Sequence, residues 1–143
     1  MKIFNRILGL IILSLIVLSC SVKQVGYDKL PETAKVFIAS QFPNCTFKYI
    51  LKDGGEYKIR LSDGTDVEFT RKGDWTSVDS KPMPVPETVL VLIPDGICDY
   101  VQSNYPSDAI TKIDKDDNQV EVELNNGLDL IFSKNGKFLR IDD

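Results

Sequence analysis

The sequence predicts an α+β fold, two tandem α-β(4) repeats forming a two-layer structure of helices on an antiparallel sheet. The first observation behind this is a repeat. Residues 30–79 lie over residues 93–142 at a constant offset of 63, without a gap, and 12 of 50 positions are identical: Pro31/Pro94, Ser40/Ser103, Pro43/Pro106, Ile50/Ile113, Lys52/Lys115, Asp53/Asp116, Leu61/Leu124, Gly64/Gly127, Asp66/Asp129, Phe69/Phe132, Gly73/Gly136 and Asp79/Asp142. A gapless match that keeps turn glycines, helix-flanking prolines and apolar positions together marks two copies of one folding unit. The second observation is a change of period inside each copy, from helical spacing to strict alternation. The third is a set of glycine-bearing turns at matched places.

Residues 1–19 read as a lipoprotein signal peptide. Lys2 and Arg6 precede a 12-residue apolar run, Ile7 to Leu18, and the segment closes on Val17-Leu18-Ser19-Cys20. A bilayer-spanning helix needs about 20 residues, so a retained transmembrane anchor is the weaker alternative. A small residue before Cys20 suits cleavage there, and the thiol would accept the diacylglycerol. Two or three acyl chains then hold the protein at the membrane, since one chain anchors only marginally. Residues 20–29 read as a polar, lipidated tether.

The first repeat, 30–79, opens with Leu30 and Pro31, a residue suited to the first helical turn because its missing N–H would have no partner there. Ala34, Phe37, Ile38 and Phe42 share one helical face, and Pro43 ends it. Four strands follow near 46–52, 56–61, 66–70 and 75–79. Tyr57, Ile59 and Leu61 alternate with Lys58 and Arg60, and Val67 and Phe69 alternate with Asp66, Glu68 and Thr70, the pattern of half-buried antiparallel strands. Gly64 serves the hairpin turn between them. Residues 80–92 connect the repeats and are too apolar, at Val89-Leu90-Val91-Leu92, to be a solvated linker. The second repeat, 93–143, places a helix from Pro94 to Asn104 and strands near 109–115, 119–124, 128–133 and 137–142. A unit of about 60 residues alone is marginal in buried surface, so the two are expected to pack as one domain over 30–143.

Loss of the signal leaves 15 basic against 21 acidic side chains, which argues against nucleic acid as a partner. The chain has no histidine, the commonest general base and a frequent zinc ligand. No nucleophile elbow, P-loop or dinucleotide-binding pattern occurs. The paired carboxylates Glu121 and Glu123 sit at strand spacing and read as a solvated face. Asp114, Asp116, Asp117 and Asn118 fail the calcium-loop pattern, with Gln119 and Asn125 where glycine and glutamate belong, and read as a polar hairpin turn. No catalytic residue, metal ligand or cofactor is expected. Cys45 and Cys98 are either two free, partly buried thiols or a disulfide.

The candidate binding residues lie on the sheet face turned away from the helices. With Ile59 and Val67 inward, Lys58, Arg60, Glu68, Glu121, Glu123 and Ile131 point outward. The fourth strand of each copy is ambiguous: Val78 and Ile141 inward would put Trp75 and Phe138 outward, joined by Tyr49, whereas the other orientation makes both aromatics core. Exposed aromatics beside arginine are the usual makings of a binding hot spot. Basic residues of one copy facing acidic ones of the other would also suit salt bridges across the repeats.

Leu30-Pro31, Phe37-Ile38 and Phe42-Pro43, echoed by Ile93-Pro94, Tyr100-Val101 and Tyr105-Pro106, together with the strand signatures at 120–128 and 136–142, resemble the PepSY-like, β-lactamase-inhibitor-like family of exported bacterial proteins. The resemblance implies the tandem architecture, a β-lactamase-inhibitor-protein-like fold, export from the cytoplasm and no catalytic residues. It further implies binding of another protein through the open sheet face, as an inhibitor or chaperone-like partner. The expected setting is the cell envelope, on the periplasmic side of a membrane or as an outer-membrane lipoprotein. The expected partner is an unidentified envelope protein, with the membrane met only through the lipid. A small-ligand or glycan sensor using the same aromatics, and a structural lipoprotein without a specific ligand, are the alternatives.

Overall fold

The computed structural model describes residues 22–142; residues 1–19, expected to be a signal peptide, and Cys20 lie outside the described residues. Nine antiparallel strands form one sheet whose spatial order follows the chain: β1 (Lys23–Gln24), β2 (Phe47–Asp53), β3 (Glu56–Leu61), β4 (Asp66–Phe69), β5 (Trp75–Asp79), β6 (Ile110–Lys115), β7 (Gln119–Leu124), β8 (Asp129–Ser133) and β9 (Phe138–Asp142). Three helices accompany it: α1 (Glu32–Gln41), α2 (Glu87–Leu90) and α3 (Asp95–Asn104).

The elements form where local chemistry favours them. Pro31 and Pro94 stand one residue ahead of α1 and α3, in extended conformation, and their carbonyls accept from Lys35 and Ile97. Phe42 and Tyr105 close the helices by donating to Ile38 and Val101, and the prolines that follow prevent continuation. The β3–β4 and β7–β8 turns are copies of each other. Asp63 Oδ1 accepts from Thr65 N and Asn126 Oδ1 from Leu128 N, while Gly64 and Gly127 take φ of +91° and +88°.

One row of side chains carries the core across eight strands: Ile50, Ile59, Val67, Val78, Ile113, Val122, Leu130 and Ile141 stand in register. All but Ile141 are buried against the helix layer, with Ala34 and Ile38 of α1, Val85, Val89 of α2, and Ile97 and Val101 of α3. Both copies contribute to a single apolar cluster, joined where β5 pairs with β6.

Two expectations need correction. Residues 22–29 of the expected 20–29 tether are tied to the fold: Lys23 and Gln24 pair with Lys52 and Leu51, Val25 N donates to Ile50 O, and 27–29 form a 3₁₀ turn. Pairing satisfies backbone groups that an unprotected β2 edge would leave open, and it raises the sheet from eight strands to nine. The connection, expected to be too apolar for a solvated linker, is helical at α2, with Val89 buried and Val91 and Leu92 exposed. Bulges at Lys48, Thr76, Thr111 and Leu139, again matched at the offset of 63, interrupt the alternation. Cys45 and Cys98 are free and half-buried, and burial first, then nearby carboxylates (Asp63 for Cys45, Asp99 and Asp95 for Cys98), push both thiols above their ordinary pKa.

Candidate functional site: the open sheet face

The helices pack on one side of the sheet. Phe37 of α1 stacks on Trp75 at 5.6 Å and meets Phe69 edge-on, and Tyr100 of α3 stacks on Phe138 at 4.3 Å and meets Phe132 edge-on. The other side presents two rows of side chains. One runs Gln24, Leu51, Lys58, Glu68, Ser77, Asp114, Glu121, Ile131, Arg140; its neighbour runs Tyr49, Arg60, Asp66, Asp79, Lys112, Glu123, Asp129, Asp142. Across the two rows eight carboxylates stand against four basic side chains.

Of the predicted residues, the structure brings Tyr49, Lys58, Arg60, Glu68, Glu121 and Glu123 together on this face. Trp75 and Phe138 do not belong to it. The bulges at Thr76 and Leu139 shift the parity of β5 and β9, so Trp75 turns to the helix side together with Val78, as does Phe138. Lys115 caps the Trp75 ring at 4.0 Å. The aromatic platform that a glycan reader would need is therefore not formed by these two rings. Ile131 stands in the outward row but is only 2% exposed, between Glu121 and Arg140, so its neighbours present the surface there.

Lys58 and Arg60 pair within their own repeat and do not reach Glu121 and Glu123 as expected, while across the seam between the repeats Asp79 stands opposite Lys112. Arg60 makes two bonds to Asp66, at 2.5 and 2.7 Å, and lies over the Tyr49 ring; Lys58 reaches Asp66 at 3.7 Å and Glu68 at 3.9 Å. The reason is distance: β4 adjoins β3, whereas β7 lies four strand spacings away, about 19 Å. Lys112 pairs with Asp114 at 3.0 Å, and Lys81 of the connection bonds Glu123 at 3.1 Å. Asp66, Asp79, Lys112 and Arg140 are not among the residues singled out from sequence for this face, and Asp114 enters there only as part of a turn, although alternation from Val67 and Ile113 assigns Asp66, Lys112 and Asp114 to it. The Asp114 group reads as expected at its far end, where Asp116 Oδ1 accepts from Asn118 N and Gln119 N in the β6–β7 turn. Among the described residues no group of three or more metal-ligating side chains is arranged to hold an ion.

Where the repeats meet, the small, buried Ser77 leaves a hollow of about 310 Å³ walled by Glu68, Asp114 and Glu121. Burial raises the pKa of Glu68, and Asp114 adds to it against the pull of Lys58; burial, then Asp129 and Asp114, raise Glu121. Asp66 moves the other way. Its partial burial alone would raise it, but the Arg60 hydrogen bond and the charges of Lys58 and Arg60 hold it below its usual range. The two raised groups bind protons more tightly folded than unfolded, so their ionisation opposes folding at neutral pH, and stability rises as pH falls from 7 toward their unfolded value of 4.5. Asp66 gives stability above its unfolded value of 3.8 that is lost as pH falls through its lower folded value. Thermal melts are expected to show the highest Tm in mild acid, between these ranges. Glu68→Gln with Glu121→Gln should flatten the rise toward 4.5, and an unchanged pH profile in that double variant would refute the assignment.

Against this geometry, the family model described as "Putative beta-lactamase-inhibitor-like, PepSY-like" matches two stretches, residues 16–64 and 55–140. The chain belongs to this PepSY-like family. A similar solved structure is that of a "putative calcium-regulated periplasmic protein" of Bacteroides thetaiotaomicron, 30% identical, with a TM-score of 0.78 over 85% of this chain and 97% of that one. Two periplasmic proteins of Bacteroides vulgatus are similar at 31% and 33% identity, with TM-scores of 0.79 and 0.78, over 87% and 85% of this chain and 99% of each of theirs. The second of these is described as of unknown function. No curated protein matches the chain. These three similar proteins are described as "putative" periplasmic proteins, and the family of this chain as β-lactamase-inhibitor-like.

Proposed function

We propose that this PepSY-like protein is a non-enzymatic, lipid-anchored protein of the cell envelope whose open sheet face binds another protein, as an inhibitor does. One observation carries the reading. Among the described residues the helices α1 to α3 lie on one side, and the other side carries two rows of charged side chains that no helix covers, most of them half-buried among one another, with Lys58 and Glu68 45% and 48% exposed. A sheet face left uncovered over its full width is a surface for a partner. The excess of carboxylates selects a partner with a basic surface, and exposed charges steer such an encounter more than they tighten it. The stretch Val17-Leu18-Ser19-Cys20 supports acylation of Cys20, and the periplasmic relatives support the compartment.

Pull-down from envelope extracts with residues 21–143 tests the face. Glu68→Lys and Glu121→Lys, which reverse carboxylates of the face, are each expected to cut recovery of the partner about tenfold, about 1.4 kcal/mol, while Trp75→Ala, off the face, changes it little if the fold stands. Unchanged recovery with both face variants would sink the assignment. For the anchor, Cys20→Ala should leave the protein soluble or as an uncleaved precursor; processed protein still in the membrane fraction would count against acylation.

A further inference from the structure

The two repeats meet edge to edge. Between β5 and β6, Val78 stands opposite Ile113 on the helix side, flanked on the open side by Asp79 opposite Lys112 and Ser77 opposite Asp114. At the offset of 63, β9 occupies the place of β5, with Arg140, Ile141 and Asp142 where Ser77, Val78 and Asp79 are. The far edge of β5 has β6; among the described residues the far edge of β9 has no strand. Burial records the difference. Val78 is 0% exposed, whereas Ile141 is 43% and Leu139 44% exposed. An edge strand presents a row of backbone donors and acceptors to any matching strand, and this one adds uncovered apolar surface.

The sequence of the edge selects what fits it. Turned antiparallel about Ile141, a second β9 sets Ile141 against Ile141 and Arg140 against Asp142, once on each side. That repeats the chemistry of the internal seam, an apolar pair toward the helices and an acid–base pair on the open face. A register one step away, centred on Arg140, would oppose two guanidinium groups and is disfavoured. We propose that β9 is a dimerisation edge: a second copy of this chain pairs with it antiparallel, centred on Ile141, and joins the two nine-stranded sheets into one. The interface is isologous and closes on itself, so it yields a dimer and not a fibre. The bulge at Leu139 ends the pairing, which keeps the contact as short as the internal seam.

Residues 22–142 hold the nine-stranded sheet and the apolar cluster described above, so residues 21–143 are suitable material. Sedimentation velocity across a concentration series up to about 1 mM is expected to show a monomer–dimer equilibrium. Ile141→Asp, which sets carboxylates face to face, and Arg140→Asp, which opposes Asp142, are each expected to weaken the dimer about tenfold or more. The swap Arg140→Asp with Asp142→Arg should restore it. Circular dichroism melts show whether each variant remains folded, and hydrogen exchange in the unaltered chain gives a reading that needs no variant, since amides 140–142 should gain protection with concentration. A chain that stays monomeric throughout overturns the proposal. So does a dimer indifferent to Ile141→Asp, or a charge swap that fails to recover what Arg140→Asp removed.

Discussion

Gly73→Ala is expected to lower the stability of the fold by about 2–5 kcal/mol, and Gly64→Ala by only about 1–2 kcal/mol. Both glycines take a left-handed backbone, at φ of +92° and +91°. The strain imposed by a Cβ is therefore common to the two variants. Their surroundings differ: a Cβ at Gly64 meets nothing within 4 Å, whereas at Gly73 it would collide with the Thr33 hydroxyl, with Pro31 Cβ at 2.8 Å and with the backbone N of Ala34 at 3.1 Å. The β4–β5 turn is thus the seat of the first turn of α1, and Thr33 fastens the two by donating to Lys72 O at 2.8 Å. The second copy offers the same pair in Gly136, against Pro94 Cβ at 2.7 Å, and the open Gly127. Urea denaturation with a common slope measures the difference. Equal losses at Gly73 and Gly64 would mean that α1 yields at no cost.

Phe132→Ala should cost about 3–5 kcal/mol, a large part of the 5–15 kcal/mol typical of a domain. Phe132 is fully buried in β8 and touches both rings of the Tyr100–Phe138 stack, at 5.5 and 5.7 Å. Its removal leaves the α3 stack without its floor. Phe138→Ala should cost less, because that ring is half-buried at the edge. Since one apolar cluster runs through both repeats, the loss is expected as a single cooperative melt at lower temperature. Two separated transitions would show that the halves are held together only weakly. Trp75, the single tryptophan, lies in the first repeat and supplies the probe, since its emission should change at the same temperature as the far-ultraviolet signal.

Much of this was legible in the sequence because the offset of 63 carries structural residues with it. Gly64, Gly73 and their partners mark turns, Ile50 and Ile113 mark the central core row, and alternation around Ile59 and Val122 assigns Lys58, Arg60, Glu121 and Glu123 to the open face. What alternation cannot express is a bulge. One extra residue at Thr76 and Leu139 turns Trp75 and Phe138 over, and no residue type announces it. Lys23 and Gln24 were hidden for another reason: two polar residues show no period, and their pairing is supplied by the backbone of β2. Ile131 looked accessible because its strand parity is outward, yet burial depends on the reach of its neighbours, Glu121 and Arg140, which composition along one strand does not reveal.

The pairing of β1 fixes how far the sheet can stand from a bilayer. With Cys20 acylated as proposed, only two residues separate it from Lys23, which is already bonded into the sheet, so the covalent leash spans at most about 10 Å. The β2 edge is thereby held close to the headgroups. Eight strand spacings of about 4.8 Å carry β9 about 38 Å from that point. The sheet is hinged at one margin like a leaf on a short stalk, and its orientation relative to the lipid, upright or lying along the surface, decides which envelope proteins can reach the carboxylate rows.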